Sequence, residues 1–410
     1  MRSSLIMSFA GFAAVFALAL AGCKYSTLAG QLPGPSPAPT LGPGIVSEEK
    51  IPTSAATPLG IATGPDGNLW FAEFDGNKIG KVVPGTFPAG GSIVECGPLP
   101  TTNSAPVDVV NDPSTANKVW FDEFGNDKIA NVDTSTCAYS EFTIPTPGAQ
   151  PEGLTVDQSG VLWFAEAASG LGQVAKMTIG GAVTEYTTGL SGSNPISVAI
   201  ASDNSVWYVD GGRNSIGHLT FPGGLKTVVD YGLPTNPADP FEITLGPDGA
   251  LWFTELGINT VGCQIGRITT GGSPSITEYT LPLLQPSPDG DLCLDLTSAG
   301  GNIWFAEADT GAIGRVTTGG VVTEYGIPGS GTTAVYVTAG PDSNLWFTDG
   351  AFDGTVQGVG TNQIGRVKIG MIPALSTART FKAKMSTHRL PLLNAKGEVI
   401  RRVNGRPINP

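Results

Sequence analysis

The chain has 410 residues, 40% of them hydrophobic, enough to enclose a large core, and carries 22 Lys/Arg against 35 Asp/Glu for a formal net charge of −13. Charged residues make up only 14% while Gly (57) and Pro (33) are abundant; against about 25% charge in an average globular protein, that is the composition of many short strands joined by tight turns. Residues 371–410 hold eight Lys/Arg and one acid, so the body carries 14 bases against 34 acids, a negative field that excludes nucleic acid and anionic lipid as its partners.

Taken in order, the chain starts with Arg2 and an apolar run from Leu5 to Leu20, an export signal over residues 1–22. Leu20-Ala21-Gly22-Cys23 resembles the lipobox of bacterial lipoproteins, which implies cleavage ahead of Cys23 and acylation of that residue. An ordinary signal peptide or a short membrane anchor is the alternative. Several acyl chains hold a protein on a membrane stably. The expected location is therefore exported and membrane-anchored, at the outer membrane if the source has two, because Lys24 and not Asp follows the Cys. Residues 23–44, with QLPGPSPAPTLGPG, read as an extended tether.

From position 45 to 370 one block recurs. Gly64 to Val82, GPDGNLWFAEFDGNKIGKV, reads as turn, strand, loop, strand: Pro65-Asp66-Gly67 is turn chemistry, Leu69 to Glu73 a short apolar run, and Lys78 to Val82 alternates at the strand period. The chain's seven Trp (70, 120, 163, 207, 252, 304 and 346) each centre one copy, at spacings of 42 to 52 residues. A strand-built repeat of that length predicts an all-β, seven-bladed β-propeller with four-stranded blades. An inner strand (Gly60 to Thr63 in blade 1) lines the channel. A Trp-Phe strand buried on both faces follows, then an Ile-Gly-Arg strand and an outer Thr-Glu-Tyr strand. Ile45 to Thr53 resembles those outer strands, and is expected to complete blade 7 and close the ring. The Gly of Ile-Gly-Arg (Gly80, Gly217, Gly266, Gly314, Gly365) is expected to let neighbouring blades approach closely. Residues 371–410 fall outside the repeat as a basic extension, with a hairpin over Leu392 to Val403 and Arg401, Arg402 and Arg406 available to anionic groups.

Four cysteines follow Cys23, an even number in an exported chain, which points to disulfides. Cys263 lies in the loop after the second strand of blade 5 and Cys293 where the chain enters blade 6, loops that open on one face of a propeller. Cys96 and Cys137 lie in the outer parts of blades 1 and 2. The expected pairs are Cys263–Cys293 and Cys96–Cys137.

The repeated Gly-Pro-Asp-Gly-x-Leu-Trp-Phe-Thr/Ala-Glu, with Ile-Gly-Arg and Ile-Thr-Glu-Tyr, resembles the streptogramin B lyase (virginiamycin B lyase) family over all seven blades. The resemblance implies ring-opening of a cyclic depsipeptide at its ester by elimination. That chemistry uses a base for the α-proton, an acid for the leaving oxygen, and Mg²⁺ on the carbonyl. The family places a His directly after the Pro that begins the inner strand in its last two blades. It adds a Glu two residues before the last His and another ending the Trp-Phe strand. Here Val335 holds the blade 7 slot, Thr333 the Glu slot before it, and Cys293 or Leu294 the blade 6 slot, while Asp349 keeps the acid at the strand end. Of the two His in the chain, His218 occupies the Arg position of Ile-Gly-Arg in blade 4 and His388 the tail.

Acid is what remains for chemistry. Glu73, Glu123, Glu166, Asp210, Glu255, Glu307 and Asp349 end the Trp-Phe strand in all seven blades, a repetition that suits a structural role at the blade junctions. Asp108, Glu152, Glu242 and Asp295 are unrepeated and lie near the starts of inner strands, at the channel mouth. Glu152 holds the His slot of blade 3 with Glu166 on the neighbouring strand, a pair suited to binding Ca²⁺ or Mg²⁺ or to sharing a proton. The catalytic candidates are thus Glu152, Glu166 and Asp349; the metal candidates are Glu152, Glu166, Glu242 and Asp295. Long segments after Glu255 and Asp349, and from Leu281 to Leu292 with Asp289 and Asp291, direct attention to blades 5–7. The expected function is a monomeric, membrane-tethered binding module taking a small molecule, glycan or protein on the top face near those blades, with Mg²⁺ or Ca²⁺ as the candidate cofactors. The alternatives are a divalent-metal-dependent carbon–oxygen lyase acting on a cyclic depsipeptide and a lactone hydrolase.

Overall fold

The alternation in each Trp-centred block folds as antiparallel hairpins, because each tight turn returns the chain beside the strand it has just left. The structure, a computed structural model, describes residues 40–372 apart from 43, 112–113, 115–116, 169, 171, 257–262, 282–291, 309, 329–332 and 351–361, and beyond them the pairs 381–382, 392–393, 399–400, 402–403 and 406–407. The export signal, Cys23, most of the tether, the three long segments with Asp289 and Asp291, His388 and Arg401 lie outside the described residues.

Seven blades form a β-propeller, and no α-helix occurs among the described residues. Blade 1 comprises Pro58–Thr63, Leu69–Glu73, Lys78–Val82 and Ile93–Cys96 from channel to rim. Inner strands of successive blades are neighbours all round, and that of blade 1 meets both blade 2 and blade 7. Blade 7 supplies Ala334–Ala339, Leu345–Asp349 and Gln363–Val367 from the end of the repeats, and takes Val46–Lys50 as its outer strand. That strand is antiparallel to Gln363–Val367, in register from Val46↔Val367 to Lys50↔Gln363. The ring is therefore closed by the front of the chain. The packed body begins slightly before Ile45: Leu41 donates its N–H to the Gly326 carbonyl at 2.9 Å, and Leu41 and Ile45 are buried between blades 6 and 7. Beyond the repeats, Phe381–Lys382 adds a fifth strand to blade 6, and Leu392–Leu393 pairs with Val399–Ile400 in the expected hairpin.

The core is divided into seven clusters, one at each blade interface, in which the Trp of one blade meets the aromatic ring of the next. Trp163 packs with Tyr208, Trp252 with Phe305, and Trp346 with Phe71 across the closure. In five blades a third-strand cation lies over the Trp ring, as Arg267 does over Trp252 at 5.7 Å and Arg315 over Trp304 at 5.6 Å. The turn Asp accepts the indole N–H, at 3.0 Å for Asp66 and Trp70 and 2.9 Å for Asp342 and Trp346. The Gly of Ile-Gly-Arg proves to have a different cause from the expected blade-to-blade approach. It faces the aromatic residue of its own blade across the ladder, Gly266 opposite Phe253, and a Cβ there would enter that ring. Both expected disulfides are present. Cys96–Cys137 ties blades 1 and 2 with Cα atoms 5.4 Å apart, and Cys263–Cys293 ties blades 5 and 6 at 5.6 Å.

A further tie between blades recurs on the same plan. Ile/Leu-Pro-Thr follows the outer strand at 51–53, 99–101, 144–146 and 233–235, and the Thr N–H donates to the outer-strand Glu of the next blade. The distances are 2.6 Å for Thr53 to Glu95, 3.0 Å for Thr101 to Glu141, 2.9 Å for Thr146 to Glu185 and 2.9 Å for Thr235 to Glu278.

Candidate functional site

In every blade but the second, the inner strand starts with a register shift. The residue opening the strand pairs with the acid ending the Trp-Phe strand: Pro58↔Glu73, Pro151↔Glu166, Pro195↔Asp210 and Pro240↔Glu255. Cys293↔Glu307 and Ala334↔Asp349 are the same pair in blades 6 and 7, which settles the alignment left open above. Leu294 and Val335 occupy the two slots in question. They are buried in an apolar cluster at the channel mouth with Leu59, Val107, Ile196 and Phe241, against which Phe74 and Leu292 pack.

One residue further along each strand lies a second ring: Gly60, Asp108, Gly153, Ser197, Glu242, Asp295 and Tyr336 line a cavity of ≈ 220 Å³ on the central axis. The start of the inner strand leaves backbone N–H groups outside the ladder, and side chains satisfy them. Asp122 Oδ1 accepts from Val107 and Asp108 at 2.9 and 3.0 Å, Thr254 Oγ1 from Glu242 at 3.0 Å, and Thr348 Oγ1 from Tyr336 at 3.2 Å. The ring acids in turn strap blades together. Asp108 accepts from the N–H of Gly153 at 2.6 Å and Asp295 from that of Val337 at 2.7 Å, while Glu242 accepts the Ser197 hydroxyl at 2.6 Å.

Burial drives the protonation of this ring. Asp108 is pushed up to about 6 by burial, against the pull of the Gly153 and Leu154 N–H groups. Asp295 is pushed up to about 8, again by burial first. Burial raises Glu152 and Glu242 well above the carboxylate range, and Asp108 and its neighbours add like-charge repulsion. Tyr336, Ser197 and Asp122 belong to this site and escaped the sequence reading. The visible signal was positional: all but Asp122 fall at the residues Gly60, Asp108 and Glu242 share, two past the strand-opening residue.

The structure does not bring Glu152 and Glu166 together. Glu152 pairs with Ala165 and Glu166 with Pro151, so the two side chains leave opposite faces of the blade. Glu152 faces Asp108, whereas Glu166 faces Glu185 and Asp127. Asp349 accepts the Thr333 N–H at 2.8 Å, as Asp210 accepts that of Asn194 at 2.8 Å. Among the described residues no three His, Cys, Asp or Glu side chains are close enough to ligate one metal ion directly. His218 stacks on Trp207 with ring centroids 3.9 Å apart, and burial lowers it to about 4, so it is neutral and far from acid–base work.

The sevenfold acids are buried at blade junctions and make a pH prediction. Glu73 is pushed up to about 8, Glu123 to about 7 and Glu166 to about 8, by burial first and then by the facing Glu95, Glu141 and Glu185. Between the ordinary value of 4.5 and those values the folded ring keeps protons that the unfolded chain has lost, so stability falls as pH rises through that window. Glu95 and Glu141 act oppositely. Despite the cost of burial, bonds from Lys78 or Lys128 and a Thr hold them below 4.5, and their contribution is lost only in stronger acid. The melting temperature should therefore be higher near about pH 5.5 than near about pH 8.5, and Glu73→Gln should shrink the difference. A melting temperature that rises steadily to about pH 8.5 would contradict protonated junction acids.

The family model described as the virginiamycin B lyase family matches residues 41–174 and 246–374. Virginiamycin B lyase of Nocardia farcinica (strain IFM 10152) is 28% identical over 288 residues, 70% of this chain and 76% of its own. A streptogramin B lyase structure superposes with a TM-score of 0.65 at 30% identity, covering 78% of this chain and 96% of that one. A catalytically inactive His-to-Ala variant of virginiamycin B lyase from Staphylococcus aureus, solved with quinupristin, gives 0.64 at 27% identity, covering 78% and 98%.

Proposed function

Since the chain belongs to the virginiamycin B lyase family, we propose that it is an exported, membrane-tethered binding module built on that fold. Its ligand, a small molecule, glycan or protein, lies on the top face near blades 5–7. The observation that carries this reading is the pairing of Cys293 with Glu307 and of Ala334 with Asp349, which puts Leu294 and Val335 where the family resemblance calls for its two His. A hydrocarbon side chain takes no α-proton and delivers none to a leaving oxygen. The resemblance also implies Mg²⁺, and the residues of that sector do not fit it. Leu294, Val335 and Thr333 stand at the family positions, and the remaining acid, Asp349, is engaged by the Thr333 N–H. No step is derived through the ion. An apolar mouth bordered by Phe74 and Leu292 suits a ligand with an apolar face.

The two disulfides accord with an oxidising, extracytoplasmic compartment, and no described helix is long and apolar enough to cross a membrane. A lipid on Cys23, joined by a Pro/Gly-rich segment to the ring, accounts for tethering, and Lys24 favours the outer membrane where two exist.

The test is incubation of the protein and Mg²⁺ with quinupristin, followed by chromatography. Elimination within the ring breaks the ester C–O bond and moves the α-proton without changing composition, so the product is an isomer of unchanged mass and altered retention. No such isomer is expected. Its appearance with turnover would replace the binding module with the carbon–oxygen lyase.

A further inference from the structure

The central cavity lies one residue deeper on the inner strands than the mouth and has its own chemistry. Asp108, Glu242 and Asp295 line it, with Glu152 and Asp122 beside them. No Lys, Arg or His lines it among the described residues. Hydrogen bonds satisfy one oxygen of Asp108, Asp122, Glu242 and Asp295. They leave Glu242 Oε1, Glu152 Oε1 and Asp122 Oδ2 with no hydrogen-bond partner among the described residues, although Glu242 is 8% exposed, Glu152 3% and Asp122 0%. A buried carboxylate oxygen without a donor is costly, most of all when charged, so Glu242 Oε1 on the cavity wall, with Glu152 and Asp122 in the charge field of the ring acids, calls for something positive in the cavity. The channel floor adds hydroxyls at Thr155, Thr244, Thr297 and Thr338.

We propose that the channel holds one divalent cation of the Mg²⁺ class, kept in its water shell between Asp108, Glu242 and Asp295. The carboxylates are too dispersed to ligate an ion directly as a set of three, which is the situation Mg²⁺ meets by retaining water and touching one or two carboxylates. A cavity of ≈ 220 Å³ accommodates an ion with about six waters at about 30 Å³ each. The waters donate to Glu242 Oε1 and to the carboxylates of Asp108 and Asp295, and the threonine hydroxyls extend that hydrogen-bonded shell. The acidic body concentrates cations at the channel. The ion is a structural pin: it draws together acids from blades 2, 5 and 6, and so holds blade 2 across the channel to blades 5 and 6, to which no disulfide or strand ladder joins it among the described residues.

Equilibrium dialysis of the full chain against Mg²⁺, and separately Ca²⁺, tests this. One ion per chain is expected, with affinity falling about 10- to 100-fold in Glu242→Gln and in Asp295→Asn, as for removal of groups that hold a metal's water shell. Asp75→Asn, on an exposed rim acid, should leave it unchanged. Glu152→Gln serves as a further variant should either of the first two fail to fold. Chains that bind no ion, or whose binding survives Glu242→Gln and Glu152→Gln, would overturn the proposal and leave protons as the compensating charge.

Discussion

Removing residues 1–50 is expected to abolish the cooperative melting of the ring, while removing residues 1–39 leaves it intact. The longer truncation strips blade 7 of Val46–Lys50 and exposes the edge of Gln363–Val367 along five residue pairs. It also removes Leu41 and Ile45, two buried side chains worth about 1.5–3 kcal/mol each. The ties made by this segment go with it. Glu49 accepts the Ser92 N–H of blade 1 at 3.1 Å, and Ile45 accepts that of Lys368 at 3.0 Å. Against a total stability of about 5–15 kcal/mol for a typical protein, such a loss unfolds the ring or drives edge-to-edge association. Calorimetry with sedimentation distinguishes the outcomes. A sharp transition and a monomer from residues 51–410 would show that blade 7 closes without the front of the chain.

Trp252→Ala is expected to cost about 3–5 kcal/mol. The indole is fully buried between blades 5 and 6 and stacks on Tyr279 at 5.4 Å. Its N–H meets Asp248 at 3.0 Å, and Asp248 also holds Arg267 at 2.7 Å over the ring. The substitution thus leaves a cavity, an unfilled acceptor and an uncovered guanidinium at once. Trp120→Ala removes a comparable volume where the indole N–H has no partner among the described residues. Its smaller loss, read in the same urea titration, measures the polar part of the penalty. Equal losses at both positions would assign the whole effect to packing.

The architecture was legible because one unit is written seven times. Trp recurs in all seven copies, an aromatic ring after it in each, and a third-strand cation in five, at fixed offsets that period-2 alternation converts into faces. Closure by Ile45 to Thr53 was legible for the same reason, since IVSEEK repeats the outer-strand pattern. The disulfides followed from which loops share an end of the ring. What stayed hidden depends on the bulge that starts the inner strand in every blade but the second. Plain alternation does not say that Glu152 turns to Asp108 while Glu166 turns to Glu185, or that Tyr336, Ser197 and Glu242 occupy one level of the channel. The one-residue ambiguity between Cys293 and Leu294 was of the same kind, and the pairing of Cys293 with Glu307 resolves it. The Thr-to-Glu ties were written as Ile/Leu-Pro-Thr, but the triplet has meaning only once the neighbouring blade supplies its partner.

The clamp at Leu41 has a mechanical consequence. The chain enters the ring at the seam between the last two blades, so any pull on the segment ahead of Thr40 is delivered to the strand that seals the circle. Leu41 and Ile45 take that load first. They must be drawn out of their apolar seat and off the Gly326 and Lys368 backbone before the Val46–Lys50 ladder feels shear. The junction most exposed to force from the segment ahead of Thr40 thereby carries its own strain relief.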